Sequence, residues 1–213
     1  MAAPLVLDRT AEDAEDSAKR RQIVEGARVI FRSLGFDAAS MGEIAKAAGV
    51  SKGTLYVYFK DKDELFQAII DKECVFQAER VFDFDTENPD IAAELTRMGI
   101  AYVKILCEPE RQSALRAVIA IADRKPVVGR TFYEAGPAKG IARLAAYFES
   151  QVKAGRLEHI EDYELAAAQL MESCHATTLK PVLFNFASPP TPERIEHVVK
   201  TAVKTFMAAY GKK

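Results

Sequence analysis

The sequence contains no tryptophan and only three cysteines among its 213 residues. The cysteines, Cys74, Cys107 and Cys174, are odd in number and widely separated, and no two of them form a CxxC pair. A disulfide framework and a zinc cluster both need several cysteines at short, matched spacings, so the sequence favours neither. This cysteine usage fits a reducing compartment, and we expect a cytoplasmic protein.

Long hydrophobic runs are also missing from the chain. No apolar stretch approaches the roughly 20 residues that a membrane span requires, so we expect no membrane partner. The first residues, MAAPLVLDRTAEDAED, lack the basic start and the long apolar segment of a signal peptide. Apolar residues nevertheless make up 49% of the chain and charged residues 28%, which is enough for a buried core under a well-solvated surface.

Charge is small overall but unevenly distributed. The net charge of −2 by itself argues against a nucleic-acid partner. Residues 1–17, however, contain one arginine against five acidic residues, whereas residues 18–62 contain nine lysines and arginines against four acidic residues. An acidic, disordered tail followed by a basic segment is what a small nucleic-acid-binding module joined to a larger domain would show. A chance fluctuation of charge along the chain is the alternative.

Turn signals and apolar periodicity predict an all-α chain, without a two-residue hairpin signal or a long alternating run. Residues 18–34 place apolar side chains on one helical face, and Gly35 is expected to end that helix. Ser40 and Glu43 have the spacing of a capping box, which predicts a short helix after Ser40. Further helices are expected over residues 52–58, 61–82, 90–107 and 110–124. A helix that ends near Gly155 follows a break in EAGPAKG, and another runs from Asp162 into LKPVLF, where Pro181 is expected to kink or end it. The last helix is expected over residues 191–210.

The stretch GVSKGTLYVYFKDKDEL, residues 49–65, is the most informative in the chain. Two short helices joined by Ala-Gly-Val-Ser have the layout of a helix-turn-helix, in which Gly49 suits a turn position with a positive φ. Leu55 and Phe59 lie four residues apart and can face inward together, which leaves Tyr56 and Tyr58 for the outer and flanking faces. The alternative interpretation, that all four side chains belong to the core, suits Leu55 and Phe59 but not the two tyrosines.

Residues 21–70 resemble the DNA-binding region of TetR-family transcriptional regulators. The resemblance rests on RRQIVEGARVIFRSLGFDAAS, on MGEIAKAAGVSKGTLYVYFKDKDELF and on the spacing between them. It implies an N-terminal three-helix helix-turn-helix domain over 18–63, followed by a helical ligand-binding and dimerisation domain over 64–213. The segment FYEAGPAKGIARLAAYFE, residues 132–149, is similar to the ligand domain of a subgroup related to AcrR-type efflux regulators.

The resemblance also implies roles for individual residues. It implies phosphate contacts at Ser40, Ser51, Tyr56 and Lys62, and groove-facing positions at Gly42, Lys52, Gly53, Thr54 and Tyr58. One departure is Gly42, which lies where family members often carry a longer side chain that contacts a base. Base recognition is therefore expected to depend more on Lys52, which favours guanine O6 and N7, and on Thr54, which can contact a thymine methyl group.

No catalytic or metal-binding motif is present in the sequence. The three histidines, His159, His175 and His197, lie in no HExxH or related spacing. Cys174 and His175 are adjacent, so on a helix their side chains point about 100° apart. GxSxG, P-loop and GxGxxG motifs are absent from any strand–turn–helix context. We therefore expect no enzyme activity, no cofactor and no metal.

The middle of the chain is rich in large apolar residues that are candidates to face one interior. These are Phe76, Met98, Tyr102, Leu106, Phe132, Tyr133, Phe148, Leu170, Met171 and Phe184. Ordinary helix-bundle core is the alternative for each of them. The resemblance adds that family members hollow this bundle into a ligand pocket. We expect all of these residues except Leu170 and Phe184 to line it, together with His175. Kinks at Gly136-Pro137 and Lys180-Pro181 would open space, and the scarcity of charged residues predicts a small, largely apolar effector.

The last predicted helix carries an apolar stripe. It consists of Ile195, Val198, Val199, Ala202, Val203, Phe206, Met207 and Tyr210. A stripe this wide on a terminal helix predicts a homodimer through the two C-terminal helices, with full use of the stripe inside one subunit as the alternative. Two-fold symmetry would match a palindromic site on double-stranded DNA.

Together these features predict a ligand-responsive, sequence-specific repressor that its effector releases from a palindromic operator. A helical small-molecule-binding or enzymatic protein, whose basic module serves another purpose, is the other function class left open.

Overall fold

The computed structural model describes the backbone of residues 9–212 and the side chains of residues 16–70 and 81–212. Within these limits the chain forms eleven α-helices, and its only β-type pairing is an isolated bridge between Leu157 and Gly211. The prediction of an all-α chain is confirmed. The chain divides into two compact units, Met1–Lys72 and Glu73–Lys213. The domain limits inferred from the sequence stay a prediction.

The first unit contains three helices and the beginning of a fourth: α1 (Arg9–Ala38), α2 (Met41–Ala47), α3 (Lys52–Tyr58) and α4 (Lys62–Val81). Helix α1 begins at Arg9, nine residues before the expected start, and so includes part of the segment that we expected to be disordered. The sequence TAEDAEDSAK explains the difference, because alanine and glutamate favour helix and acidic residues are stabilising near a helix N-terminus. Residues 1–8 of the predicted tail lie outside the described residues.

Gly35 interrupts α1 close to its C-terminal end. Its backbone angles, φ 78° and ψ 169°, are not helical, and glycine adopts such a positive φ without steric cost. The predicted end at Gly35 is therefore a sharp kink, after which the chain continues to Ala38. Beyond the kink, Phe36 packs with Phe31 and Phe66, with ring centroids between 5.1 and 5.4 Å apart. This aromatic cluster forms part of the core of the first unit.

A glycine also sets how closely α2 approaches α1. A Cβ atom on Gly26 would lie 2.6 Å from the backbone and side chain of Ala48, so no other residue fits there without a shift. Beside it, the Gln22 side-chain amide donates to the Ala48 carbonyl oxygen at 2.7 Å. The end of α2 is thereby fixed against the middle of α1.

The second unit contains the rest of α4 and seven further helices: α5 (Ile91–Leu106), α6 (Pro109–Ala122), α7 (Pro126–Ala135), α8 (Pro137–Lys153), α9 (Tyr163–Cys174), α10 (Leu179–Leu183) and α11 (Pro192–Tyr210). Four of them begin with proline, whose missing N–H is not needed in the first helical turn. The predicted break at Gly136-Pro137 is confirmed, because it separates α7 from α8.

The helix predicted from Asp162 into LKPVLF is in fact two helices, α9 and α10. The break lies at residues 175–178, and Pro181 is the third residue of α10. The physical reason is that proline lacks an N–H and clashes with the carbonyl group four residues earlier, which here belongs to Thr177. The helix therefore breaks before Pro181 and restarts around it.

Side chains of α5, α8, α9 and α11 form the core of the second unit, with Leu95, Leu144 and Val199 fully buried. Phe148 stacks on Phe206 with the ring centroids 4.5 Å apart. No helix of the described residues is both long and apolar enough to cross a membrane.

The apolar stripe of α11 belongs to this core. Its first six residues, Ile195, Val198, Val199, Ala202, Val203 and Phe206, are all buried inside the subunit, and Met207 and Tyr210 are half-buried. A Cβ atom on Gly99 of α5 would lie 2.7 Å from Val199 Cγ1, which shows how closely the two helices pack. Six of the eight stripe residues are therefore covered within the subunit, and the homodimer through the two C-terminal helices stays a prediction.

Candidate nucleic-acid interface and ligand cavity

Ser40 caps the start of α2 through reciprocal hydrogen bonds with Glu43. The Ser40 hydroxyl accepts from the Glu43 backbone N–H at 3.2 Å, and the Ser40 backbone N–H donates to Glu43 Oε2 at 2.9 Å. The same hydroxyl donates to that carboxylate at 2.7 Å. These bonds confirm the predicted capping box and hold the pKa of Glu43 below its usual value. Because both Ser40 donors are engaged by Glu43, a phosphate contact from Ser40 would have to compete with the cap.

The turn between α2 and α3 leads directly into a second cap. Gly49 takes a φ of 65°, the positive value that was expected of it. Ser51 then caps α3, because its hydroxyl accepts from the Thr54 backbone N–H at 2.9 Å and lies 2.8 Å from the Thr54 hydroxyl. The bond between two hydroxyl groups uses only one of their two hydrogens. The other hydrogen can be donated to an external acceptor such as a phosphate oxygen.

Helix α3 has a buried side and an exposed side. Leu55 and Phe59 are 0% and 1% exposed, which confirms that they face inward. Lys52, Gly53 and Tyr56 are exposed, and Thr54 and Tyr58 are half-buried. The predicted groove-facing positions on α3 therefore lie on or beside one accessible surface.

Val57 is an exposed apolar residue on α3 that was not predicted as a site residue from the sequence. Its side chain is 82% exposed, more than that of Tyr56 beside it. At 100° per residue, a position two residues after buried Leu55 and two before buried Phe59 points away from the core. The spacing of Val57 from Leu55 and Phe59 could therefore have predicted its exposure from the sequence.

Gly42 lies on α2 next to the side chain of Lys52. A Cβ atom on Gly42 would be 2.9 Å from Lys52 Cε and 3.2 Å from Lys52 Nζ. These two residues, for which the family resemblance implies groove-facing positions, are therefore brought together across the turn.

Lys62, predicted to contact a phosphate, lies instead against the end of α1. Its Nζ atom donates to the backbone carbonyl oxygens of Phe36, Asp37 and Ala39 at 2.6, 3.1 and 3.0 Å. A lysine ammonium group has three N–H donors, and each of these bonds takes one. The geometry therefore gives Lys62 a structural contact within the first unit.

The second unit contains a cavity of about 350 Å³. Of the nine residues predicted to bind a ligand, six line it: Tyr102, Leu106, Phe132, Tyr133, Met171 and His175. Met98 and Phe148 do not, because both are fully buried in the helical core. The side chain of Phe76 lies outside the described residues. Of the two further candidates for this interior, Leu170 is also buried in the core, and Phe184 is 77% exposed.

The cavity is more polar than the sequence suggested. Arg111, Glu172 and Lys180 line it together with His175, and none of the three charged residues was predicted there. The Arg111 guanidinium carbon lies 5.3 Å from the centre of the Phe132 ring, so the cation covers an aromatic wall. Glu172 could have been found from its spacing, because it precedes His175 by three residues and shares its helical face.

His175 is the buried polar residue of the cavity wall. It is 4% exposed, its Nε2 lies 3.6 Å from Glu172 Oε1, and its ring centroid lies 5.9 Å from that of Tyr102. Burial lowers the pKa of the His175 imidazole, which favours the neutral ring. Burial likewise raises the pKa of the Tyr102 phenol. The cavity thus combines aromatic walls with uncharged hydrogen-bonding groups and a few charges.

The neighbouring thiol does not form a nucleophilic pair with His175. Cys174 is fully buried, and burial raises the pKa of its thiol to about 12, so the thiolate that a nucleophile requires is scarce at neutral pH. Among the described residues, no group of three or more His, Cys, Asp or Glu is arranged to hold a metal ion.

Two family models match the chain. One, described as "AefR-like transcriptional repressor, C-terminal domain", matches residues 93–212. The other, described as "Bacterial regulatory proteins, tetR family", matches residues 23–69, which include both capped helices.

Among curated proteins, the HTH-type transcriptional repressor BepR of Brucella suis is 30% identical over 128 residues, 55% of this chain and 59% of BepR. The HTH-type transcriptional regulator AcrR of Shigella flexneri is 43% identical over 61 residues, 29% of this chain and 27% of AcrR. The matched segments thus span less than two thirds of the length of these relatives.

Solved structures resemble the chain over nearly its whole length. A TetR-family transcriptional regulator from Mesorhizobium loti has a TM-score of 0.85 and 29% identity, covering 92% of this chain and 98% of that one. The protein titled "Flavonoid-responsive Regulator FrrA" has a TM-score of 0.77 and 30% identity, covering 92% of this chain and 99% of its own.

Proposed function

The chain belongs to the TetR family of bacterial regulatory proteins, and from that membership we propose that it is a sequence-specific DNA-binding transcriptional repressor. The observation that carries the proposal is the exposed outer side of α3, which two capped helix starts hold above buried Leu55 and Phe59. A short helix presented in this way fits the major groove of DNA, where base edges can be distinguished. A cytoplasmic location follows from the same proposal, since bacterial DNA lies there.

The residues of this surface divide by chemistry into two roles. The Ser51–Thr54 hydroxyl pair and the Tyr56 phenol donate hydrogen bonds to phosphate oxygens, which position the protein without selecting a sequence. Lys52 donates to guanine O6 or N7. The thymine-methyl contact first assigned to Thr54 passes to the apolar Val57, because Val57 is exposed whereas Thr54 is half-buried. Gly53 and Tyr58 complete the surface in contact with the groove.

A gel-shift titration in rising salt tests the proposal. The operator is first selected from a random duplex library with the purified protein. Affinity for this operator should fall steeply with salt, because each neutralised phosphate releases counterions. A random duplex of the same length is the control and should bind far more weakly. Binding that is equally weak for both duplexes would favour the alternative, a helical protein that binds small molecules but does not recognise DNA.

We further propose that the cavity of the second unit binds the effector that releases the operator. FrrA is titled flavonoid-responsive, and it matches this chain over nearly the full length of both. The cavity walls fit a planar aromatic molecule, with Phe132 and Tyr133 as apolar surfaces and His175 and Tyr102 as polar partners. We therefore propose an aromatic effector with polar substituents, more polar than the sequence alone suggested.

Thermal-shift measurements with a flavone and its hydroxylated derivatives test the effector proposal. A compound that binds should raise the melting temperature in proportion to its concentration relative to its dissociation constant. It should also lower operator affinity, which requires that it binds the DNA-free state more tightly than the DNA-bound state. Compounds that stabilise the protein but never change operator binding would count against the cavity as a regulatory site.

We also propose that the protein acts as a homodimer on a palindromic operator. Two-fold symmetric proteins meet two half-sites about one turn of DNA apart, which gives a small DNA-contacting helix useful affinity. Since most of the α11 stripe is covered within the subunit, other apolar residues are expected to contribute to the dimer interface. Leu165, Phe184 and Phe186, close to the ends of α9 and α10, are 53%, 77% and 87% exposed and are the candidates for that surface.

A further inference from the structure

Gly42 lies beside the side chain of Lys52, but packing does not require a glycine at that position. A Cβ atom on Gly42 would lie 2.9 Å from Lys52 Cε, so any side chain at this position would displace the end of Lys52. The displaced atoms belong to the tip of a long, flexible and exposed side chain, which can move at little cost. By comparison, a Cβ atom on Gly53 of α3 would find its nearest neighbour, Ser51 Oγ, at an ordinary 3.7 Å.

Glycine at position 42 is also not explained by the helix. Gly42 lies inside α2 with no positive φ, and glycine is a poorer helix former than alanine. The two atoms nearest to that Cβ position both belong to Lys52, and the Ser40 hydroxyl follows at 3.9 Å. What glycine provides there is the space in which the Lys52 ammonium group lies.

We propose that Gly42 and Lys52 form one base-recognition unit, in which the missing side chain at position 42 sets where the Lys52 ammonium group meets a base pair. The inference rests on the proposed DNA-binding function. Lys52 is the residue that contacts the base, with guanine O6 and N7 as the matching acceptors in the major groove. Gly42 is a specificity-determining residue that acts through Lys52 and touches no base itself.

A double-mutant cycle on base-pair preference tests this unit. The full-length protein, Gly42→Ala, Lys52→Met and the double variant are each titrated against the selected operator and its single-base-pair variants. Lys52→Met should relax the preference at one base pair by about fivefold or more. Gly42→Ala should change the preference at the same base pair. In the Lys52→Met background, Gly42→Ala should add nothing, since two residues that act as one unit are not additive.

Lys60→Met is the matched control, because it removes the same charge from an exposed lysine that lies outside both α2 and α3. Its effects should add to those of Gly42→Ala at every base pair. Circular dichroism and the melting temperature should show a folded Gly42→Ala protein, since alanine favours helix, and Gly42→Ser provides a second test of the same displacement.

Three results would overturn the proposal. The first is a Gly42→Ala effect of equal size with and without Lys52→Met, which would mean that position 42 acts directly. The second is coupling of equal size to Lys60→Met, which would reveal a general electrostatic effect. The third is an unchanged preference in Gly42→Ala while Lys52→Met relaxes one base pair. A wild-type protein that selects no sequence at all would instead refute the DNA-binding function on which the unit depends.

Discussion

The Nζ atom of Lys62 donates a hydrogen bond to the carbonyl oxygen of Phe36 at 2.6 Å and lies 4.6 Å from the centre of the same residue's ring. The carbonyl oxygens of Asp37 and Ala39 accept the other two N–H groups. Carbonyl groups at a helix end have no intrahelical partner, and here a lysine from the start of α4 supplies one. The lysine thus ties α4 to the segment that follows the Gly35 kink.

We predict that Lys62→Met destabilises the protein. Three charge-assisted hydrogen bonds are lost together, and a decrease of about 1–3 kcal/mol in the free energy of unfolding is expected. Urea unfolding followed by circular dichroism measures it. Lys60→Met is the matched control and should be nearly neutral, because Lys60 is exposed and its hydrogen bond to Glu64 is made by the backbone N–H, which the substitution keeps.

The salt dependence of operator binding separates this role from a phosphate contact. Removal of a lysine that contacts a phosphate should flatten the slope of log affinity against log salt concentration by about one unit. Removal of a structural lysine should leave that slope unchanged. Unaltered stability together with a flattened slope would therefore restore the role that the family resemblance implies for Lys62.

The features predicted well from the sequence are those that local chemistry determines. The Ser40–Glu43 capping box and the positive φ of Gly49 depend on residues within a few positions of each other. The inward-facing pair Leu55 and Phe59 follows from their spacing of four on one short helix. In each case the partners are close in the sequence, so their types and spacing suffice.

Features that depend on distant partners were predicted less well. Periodicity shows that Met98 and Phe148 lie on apolar helix faces, but not whether such a face meets a filled core or a cavity. The same reason applies to the apolar stripe of α11, because counting its apolar residues does not identify which helices cover them. Arg111 and Lys180 reach the cavity from α6 and α10, and that arrangement is set only by the packing of the whole unit.

We predict that Tyr56→Phe weakens binding to operator and random DNA alike. Tyr56 is 53% exposed on α3, and its hydroxyl is assigned to a phosphate, which carries no sequence information. Loss of one hydrogen bond to a charged group should cost about 1.5 kcal/mol, roughly tenfold in affinity. Gel shifts with both duplexes measure it, and Tyr163→Phe in the second unit is the control. A loss confined to the operator would move Tyr56 from phosphate to base contact.

We predict that Val57 recognises a thymine through its methyl group. Replacing that thymine by uracil removes only the methyl group and should lower wild-type affinity by about 0.8 kcal/mol, roughly fourfold. Val57→Ala should lose this dependence while remaining as stable as the wild type, since the side chain is 82% exposed. Uracil at thymines outside the selected site is the control. A variant that keeps the full methyl dependence would show that another residue makes the contact.

We predict that Leu115→Trp abolishes the effector response without impairing operator binding. Leu115 lines the cavity, and the larger ring would occupy the volume that an aromatic effector needs. The measurement is operator release by a stabilising compound in a gel shift, with affinity in the absence of compound as the internal reference. Ile119→Trp, on the same helix but 57% exposed, should respond normally. A normal response in Leu115→Trp would place the effector elsewhere.

Our last prediction concerns the dimer, which Phe184→Ser combined with Phe186→Ser should dissociate into folded monomers. The two rings are 77% and 87% exposed in the subunit, so their removal costs the monomer little, while burial of each at an interface would contribute about 1.5–3 kcal/mol. Light scattering at micromolar concentration should give twice 23.5 kDa for the wild type and 23.5 kDa for the double variant. Val127→Ser, at a residue 62% exposed on α7, is the control and should keep the wild-type mass.

Val199→Glu must behave differently from the phenylalanine variant. Val199 is fully buried against α5 inside its own subunit, so a charge there should unfold the protein, as circular dichroism would show, and not merely separate two copies. A folded, monomeric Val199→Glu protein would instead mean that α11 faces a partner. A wild-type mass of 23.5 kDa would remove the dimer altogether, and with it the palindromic operator.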